Sequence, residues 1–211
     1  MQRIYRYGFI IAFLMLICSQ HVNAKDDVDI YDMSLDENLV TPEIKNTKQA
    51  DKIQEFQYDM AVAFKKSNYD VEIMRDNEVI VITIPASQLF EPNDTVLTKG
   101  GQEQLKPMLR MLKNPGFYKM LLVMHSDNTG SQQYTINLTR QRVNAIFDWF
   151  EENGSVDYVV PYALGETDPI VDNNSVDNRN CNRRLEVYLV PDQTMIQQAK
   201  KGRINISQKG K

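Results

Sequence analysis

The stretch from Met120 to Arg142 most restricts the folds open to this chain. A short apolar strand, Met120–Met124, runs into His125-Ser126-Asp127, then into a turn with Gly130, and then into a helix over about Ser131–Glu152. On a helical wheel Tyr134, Leu138, Ala145, Ile146 and Trp149 form one apolar stripe. A strand that feeds through a tight turn into a long amphipathic helix must fold that helix back onto a sheet, which points to an α/β arrangement. Arg142 lies at the centre of the stripe, four residues after Leu138 and four before Ile146. A guanidinium there must be paired or reach an open edge, because an unpaired buried charge is very costly.

Two readings of Arg142 stand side by side. In one, Arg142 and Asp127 form an internal ion pair. In the other, Asp127, at the carboxyl end of a strand where open α/β sheets tend to bind ligands, accepts from an ammonium while Arg142 grips a carboxylate with its planar fork. A small zwitterion would satisfy both charges.

The flanking segments extend the sheet. Val71–Met74 and Val79–Ile84, separated by Arg75-Asp76-Asn77-Glu78, read as a β-hairpin that Pro85 ends. Leu105, Met108, Leu109 and Leu112 mark a helix over about Thr98–Lys113, with a kink or late start expected at Pro107. Tyr158–Ala163 reads as a short strand, Gly165–Cys181 as a long polar loop, and Arg183–Val190 as a last strand. There Leu185, Val187 and Leu189 alternate against Arg184, Glu186 and Tyr188, which puts Arg184 on the solvent side. Arg183 either faces the same cleft as Asp127 or snorkels to the surface. The expected fold is an α/β (α+β) two-layer sandwich, a β-α-β-α-β-β domain with one mixed sheet and helices on one face.

The ends read differently. Arg3 and Arg6, the ten-residue apolar run Phe9–Cys18 and Val22-Asn23-Ala24 have the form of a secretory signal peptide over residues 1–24, cut after Ala24. That run is too short for a membrane span of about 20 residues. Ile17, before Cys18, does not suit lipidation. Residues 25–47, with Asp26, Asp27, Asp29, Asp32 and Asp36, read as a mobile acidic leader. Residues 48–75 hold an N-terminal helix, on which Ile53, Phe56, Met60 and Phe64 recur at helical steps, and the first hairpin strand. The domain proper spans 76–194 and a basic tail 195–211.

The chain has a net charge of −4, and its expected signal peptide holds two of its arginines and no acid. A body this acidic argues against nucleic acid. Beyond residue 24 the only cysteine is Cys181 and the only histidine is His125, so neither an internal disulfide nor a zinc cluster is expected, and no cofactor is implied. His125-Ser126-Asp127 has the residue types of a catalytic triad but not its geometry: on one strand His125 and Asp127 share a face and Ser126 points away. There is no Gly-x-Ser-x-Gly elbow, P-loop or dinucleotide fingerprint, so an enzyme is not expected.

Five fragments in order carry a resemblance. They are Phe90-Glu91-Pro92-Asn93, His125-Ser126-Asp127-Asn128-Thr129-Gly130, the helix start from Tyr134 to Arg142, Leu164-Gly165-Glu166-Thr167-Asp168-Pro169, and Asn182-Arg183-Arg184-Leu185-Glu186. From about Val79 to Pro191 the chain resembles the OmpA-like, peptidoglycan-associated domain family. The resemblance implies non-catalytic binding of peptidoglycan through the diaminopimelate of its peptide stem, held by Asp127 and Arg142, with Asn93, Thr129, Gly130 and Arg183 at the same site. It also implies tethering of an envelope protein or complex to the cell wall. The setting would be the periplasm or the periplasmic face of the outer membrane, with an outer-membrane protein as a candidate partner for residues 25–66. Two positions depart from the family pattern: Met124 stands where glycine is usual and Thr135 where asparagine is usual. They motivate an alternative, an envelope scaffolding protein that keeps the fold without binding the wall.

Overall fold

A computed structural model describes residues 29–74 and 78–204. The expected signal peptide, the centre of the hairpin turn and the end of the basic tail lie outside the described residues. Residues 29–32 form a small turn of their own, in which the Tyr31 amide donates to Asp29 Oδ1 and the Asp32 amide to the Asp29 carbonyl. From Met33 onward the chain forms one unit.

Its elements follow the apolar periodicity closely. A four-residue turn of helix, α1 (Leu35–Asn38), precedes the long α2 (Thr47–Lys66). The hairpin β1 (Asp70–Met74) and β2 (Val79–Pro85) comes next. The helix around Pro107 is broken, as its proline requires: α3 (Lys99–Leu105) passes through a 3₁₀ turn, Lys106–Met108, into the short α4 (Leu109–Leu112). Then follow β3 (Tyr118–His125), α5 (Gln132–Asn153), β4 (Val159–Gly165), α6 (Val176–Asn182), β5 (Arg184–Pro191) and α7 (Gln193–Lys200).

The strands form one five-stranded sheet in the order β1-β2-β5-β3-β4. β3 and β4, joined through α5, are parallel, and the other neighbours are antiparallel, so the sheet is mixed and the fold is the expected α/β sandwich. Ile80, Ile82 and Ile84 of β2, Leu185, Val187 and Leu189 of β5, and Met120, Leu122 and Met124 of β3 form one face, and with Ile53 and Phe64 of α2 and Val143, Ile146 and Phe150 of α5 they make up the core. Each such side chain contributes about 1.5–3 kcal/mol by leaving water.

Four expectations are corrected. The stripe of α5 is turned: the buried residues are Thr135, Thr139, Arg142, Val143, Ile146 and Phe150, while Tyr134 is exposed. Hydropathy missed the two threonines because their hydroxyls are satisfied within the helix, Thr135 Oγ1 by the Gln132 carbonyl and Thr139 Oγ1 by those of Thr135 and Ile136. The polar loop 165–181 contains α6, whose N-cap Ser175 accepts from the Asn178 amide. The basic tail begins inside α7, which buries Met195, Ile196 and Ala199 and packs on α2.

The fourth correction concerns the sheet's second face. Leu121, Val123, Val81 and Val160, outside the main cluster, are also buried. Arg184, assigned to solvent by alternation, is 1% exposed and donates to Glu186 Oε1 at 2.6 Å and to the carbonyls of Asn182 and Asp168. Residues counted in the leader contact this side: Asn38 is fully buried and donates to the Tyr162 hydroxyl at 2.7 Å, and that hydroxyl donates to the Met33 carbonyl at 2.9 Å. A capping box between Ser34 and Glu37 holds α1. These contacts are polar and single, so they leave no periodic signal in sequence.

Burial pushes the Glu186 carboxyl up, but His125, Tyr188 and Arg184 outweigh it and bring it down from 4.5 to about 2. A carboxyl depressed by folding stabilises the fold above its unfolded value. That stability should drain away as pH falls from 4.5 toward 2, and Glu186→Gln should flatten this part of a urea-midpoint-against-pH curve.

Gly165 ends β4 with φ +56, where β3 and β4 slip in register. It donates to Thr139 Oγ1 at 3.1 Å and accepts from the Ser126 amide at 2.7 Å, tying the end of β3 to α5. A Cβ there would stand 3.0 Å from the Ile136 nitrogen. Gly165→Ala should lower unfolding free energy in urea by about 1–3 kcal/mol through the left-handed backbone and this contact.

Candidate functional site

The joint between β3 and α5 builds the site. β3 stops at His125, and the alternation stops with it: His125 turns to the second face, with Nε2 3.3 Å from Glu186 Oε2, whereas Ser126 and Asp127 both line a cavity on the other side. The expectation that His125 and Asp127 share a face is thereby corrected, since residues beyond the last ladder bond are free of the pleat. Asp127 Oδ1 accepts from the Thr129 amide at 2.8 Å, an Asx turn. Gly130 follows at φ +105, where a Cβ would lie 2.8 Å from the Tyr134 ring. Ser131 then caps α5 by accepting from the Tyr134 amide.

Arg142 projects from α5 toward residues 90–97. Its Nε donates to the Asp94 carbonyl at 2.8 Å and its Nη2 to the Glu91 carbonyl at 3.3 Å, and the guanidinium lies over the Phe90 ring, 5.0 Å from its centroid. That segment is closed by a bridge between Phe90 and Leu97 and by Asp94 Oδ1, which accepts from the Thr95 and Val96 amides. Asn93 takes the left-handed corner at φ 58, a place that suits asparagine.

The opposite wall comes from the end of α6. Arg183, just before β5, pairs with Asp127 through Nη1 and donates through Nη2 to Asn180 Oδ1. The internal ion pair of the site is therefore Asp127–Arg183, and no Asp127–Arg142 bond forms.

The structure brings Asn93, Asp127, Thr129, Gly130, Arg142 and Arg183 to one cavity of about 490 Å³. Asp127 is 3% exposed and Arg142 6%, so both charges are held away from bulk water. Burial pushes the Asp127 carboxyl up, but the Thr129 hydrogen bonds and Arg183 outweigh it and hold it below its ordinary value. Burial also lowers Arg142. Sequence reasoning missed Ser87, Leu138 and Asn180 as lining residues. Asn180 and Ser87 carry no local signal, and Leu138 reads as core on a wheel. Met124 and Thr135 do not line the cavity: the first is wholly in the core and the second is buried against its own helix. Among the described residues no cluster of three or more His, Cys, Asp or Glu could hold a metal ion.

The chain is similar to known proteins in sequence and in fold. The probable lipoprotein YiaD of Escherichia coli K12 is 23% identical over 122 residues, 57% of this chain and 56% of its own length. The peptidoglycan-binding protein ArfA of Mycobacterium bovis is 34% identical over 66 residues, 31% of this chain and 20% of its own. The chain thus spans little more than half the length of the first of these relatives and a fifth of the second. Among solved structures, a putative MotB-like protein of Desulfovibrio vulgaris superposes with a TM-score of 0.59 at 20% identity, over 68% of this chain and 98% of that one, and so shares the fold. Residues 89–183 match the model of the OmpA family, and they contain nearly every residue of the cavity described above: the chain carries an OmpA family domain.

Proposed function

We propose that this domain binds peptidoglycan without chemistry, taking the diaminopimelate of the peptide stem into the cavity between Asp127 and Arg142, and so tethers an envelope protein or complex to the cell wall. OmpA family domains are non-catalytic, and a relative is named for peptidoglycan binding. The observation that carries the reading is the cavity itself, in which a buried carboxylate and a buried guanidinium face one space of about 490 Å³. Two of the guanidinium's nitrogens are spent on backbone carbonyls, and Nη1 has no hydrogen-bond partner among the described residues. A ligand with an ammonium and a carboxylate on one carbon matches both charges, and Thr129, Gly130, Asn93 and Arg183 border the same space. A setting in the periplasm, or on the periplasmic face of the outer membrane, follows from such a ligand.

The alternative, a scaffold that has lost wall binding, drew on Met124 and Thr135. Neither reaches the cavity, so neither obstructs it. An outer-membrane partner for residues 25–66 is the weaker part of the expectation, because α2 turns Ile53, Gln57, Ala61 and Phe64 into the domain itself.

Pull-down of residues 25–211 with purified sacculi tests the proposal. Arg142→Ala should weaken binding by about 2–5 kcal/mol, the usual cost of truncating one side of a desolvated charge pair, and Asp127→Ala should weaken it too. Circular dichroism should show both variants folded. Sacculus binding by Arg142→Ala equal to wild type would remove the cavity from the function.

The pH profile gives a second check. The Asp127 carboxyl is held below 3.8, so it stays ionised as pH falls from neutrality to that value. Binding should be level over this range and fade only below it. A midpoint near pH 6 would implicate a different titrating group.

A further inference from the structure

We infer that Arg183 is a resident counter-ion of Asp127 that sets which ligand charge the cavity recognises most strongly. This rests on the binding reading above and concerns the same site. Asp127 is not waiting for a cation: Arg183 Nη1 already occupies Oδ2, while Thr129 occupies Oδ1. Each oxygen keeps a second lone pair, but Arg183 already neutralises the carboxylate, so a ligand ammonium either shares Asp127 with a cation or exchanges one charged hydrogen bond for another. Its net gain is small.

Arg142 stands differently. Its fixed contacts are to neutral carbonyls, and no carboxylate among the described residues pairs with it. A ligand carboxylate therefore neutralises a buried cation that no carboxylate among the described residues touches, the Asp94 carboxylate acting on it only through space. If the ammonium displaces Arg183, that guanidinium becomes a second cation beside the same carboxylate.

Arg183 is built for such an exchange. Its backbone is fixed, since its carbonyl accepts from the Ala86 amide at 2.9 Å and its amide donates to the Arg179 carbonyl. Its side chain is 36% exposed, against 4% for Asp127, and its other acceptor is Asn180 at the rim. The guanidinium can leave Asp127 without leaving water or Asn180, whereas Asp127 cannot follow. The charge order of the cavity is thus anion first and ammonium second, although Asp127 looks like the ammonium site.

Competition against sacculus binding tests this in the full chain, with diaminopimelate, pimelate (the two carboxylates without amines) and 1,5-diaminopentane (the two amines without carboxylates) as probes. On the wild type, diaminopimelate should compete best, and pimelate should outcompete the diamine by about tenfold or more, the range of one charge-assisted hydrogen bond. In Arg183→Gln, Asp127 is left unpaired, and the diamine should gain about tenfold while pimelate gains nothing. Arg183→Lys keeps a cation in place and should keep the wild-type order, which separates a counter-ion from a packing role. The inference is overturned if diaminopimelate competes but the diamine equals pimelate on the wild type, or if Arg183→Gln leaves the diamine unchanged. Should diaminopimelate itself fail to compete on the wild type, the binding reading falls, and the counter-ion role falls with it.

Discussion

Everything at the site depends on how Arg142 is accommodated. A guanidinium on the buried side of a helix facing a sheet is tolerable only if its donors are met. Here the segment 90–97 bends its backbone so that the carbonyls of Glu91 and Asp94 meet Nη2 and Nε, and Phe90 covers the planar face. Satisfying the arginine and building the cavity wall are one event. The left-handed Asn93 and the Asx bonds of Asp94 are the local means by which the chain makes that bend. A helix residue thus organises a loop nearly fifty positions earlier in the chain.

The facing side is organised by the end of β3. The same few residues carry three duties: Gly165 ties Ser126 to Thr139, Asp127 closes a turn on Thr129, and Gly130 lets Tyr134 approach. Because β3, β4 and α5 are tied there by hydrogen bonds, the carboxylate sits in a braced turn, while its partner Arg183 follows the short α6 and reaches across on a long side chain. That difference in side-chain reach is why Asp127 is shut away from water while the Arg183 side chain is 36% exposed.

On the sheet's other face a polar cluster lies beside the buried Leu121, Val123, Val81 and Val160. Arg184 and Glu186 are bonded to each other, Tyr188 donates to Glu186 at 2.6 Å, and His125 lies beside them. Each charge lowers the cost of burying the next, which is how a strand that alternates polar residues can still be covered on both faces. Residues 33–41 complete the cover through Asn38, Tyr162 and the Thr41–Glu78 contact.

The strands, the long helices, the break at Pro107 and the candidate pair Asp127 and Arg142 are local consequences of residue order, because side-chain periodicity and the turn chemistry of proline and glycine act over a few residues at a time. That is why the family was legible from Phe90–Asn93, His125–Gly130, Tyr134–Arg142, Leu164–Pro169 and Asn182–Glu186 taken in order. The pairing of charges was not. Asp127 takes Arg183 rather than Arg142, Arg184 is buried rather than solvated, and α5 is rotated to bury two threonines. Each depends on which acceptor lies within about 3 Å once distant segments have closed on one another, and hydrogen bonds and ion pairs are decided by that distance. Sequence determined which residues could hold charge near the mouth of the sheet; only the tertiary structure decided which charge neutralises which.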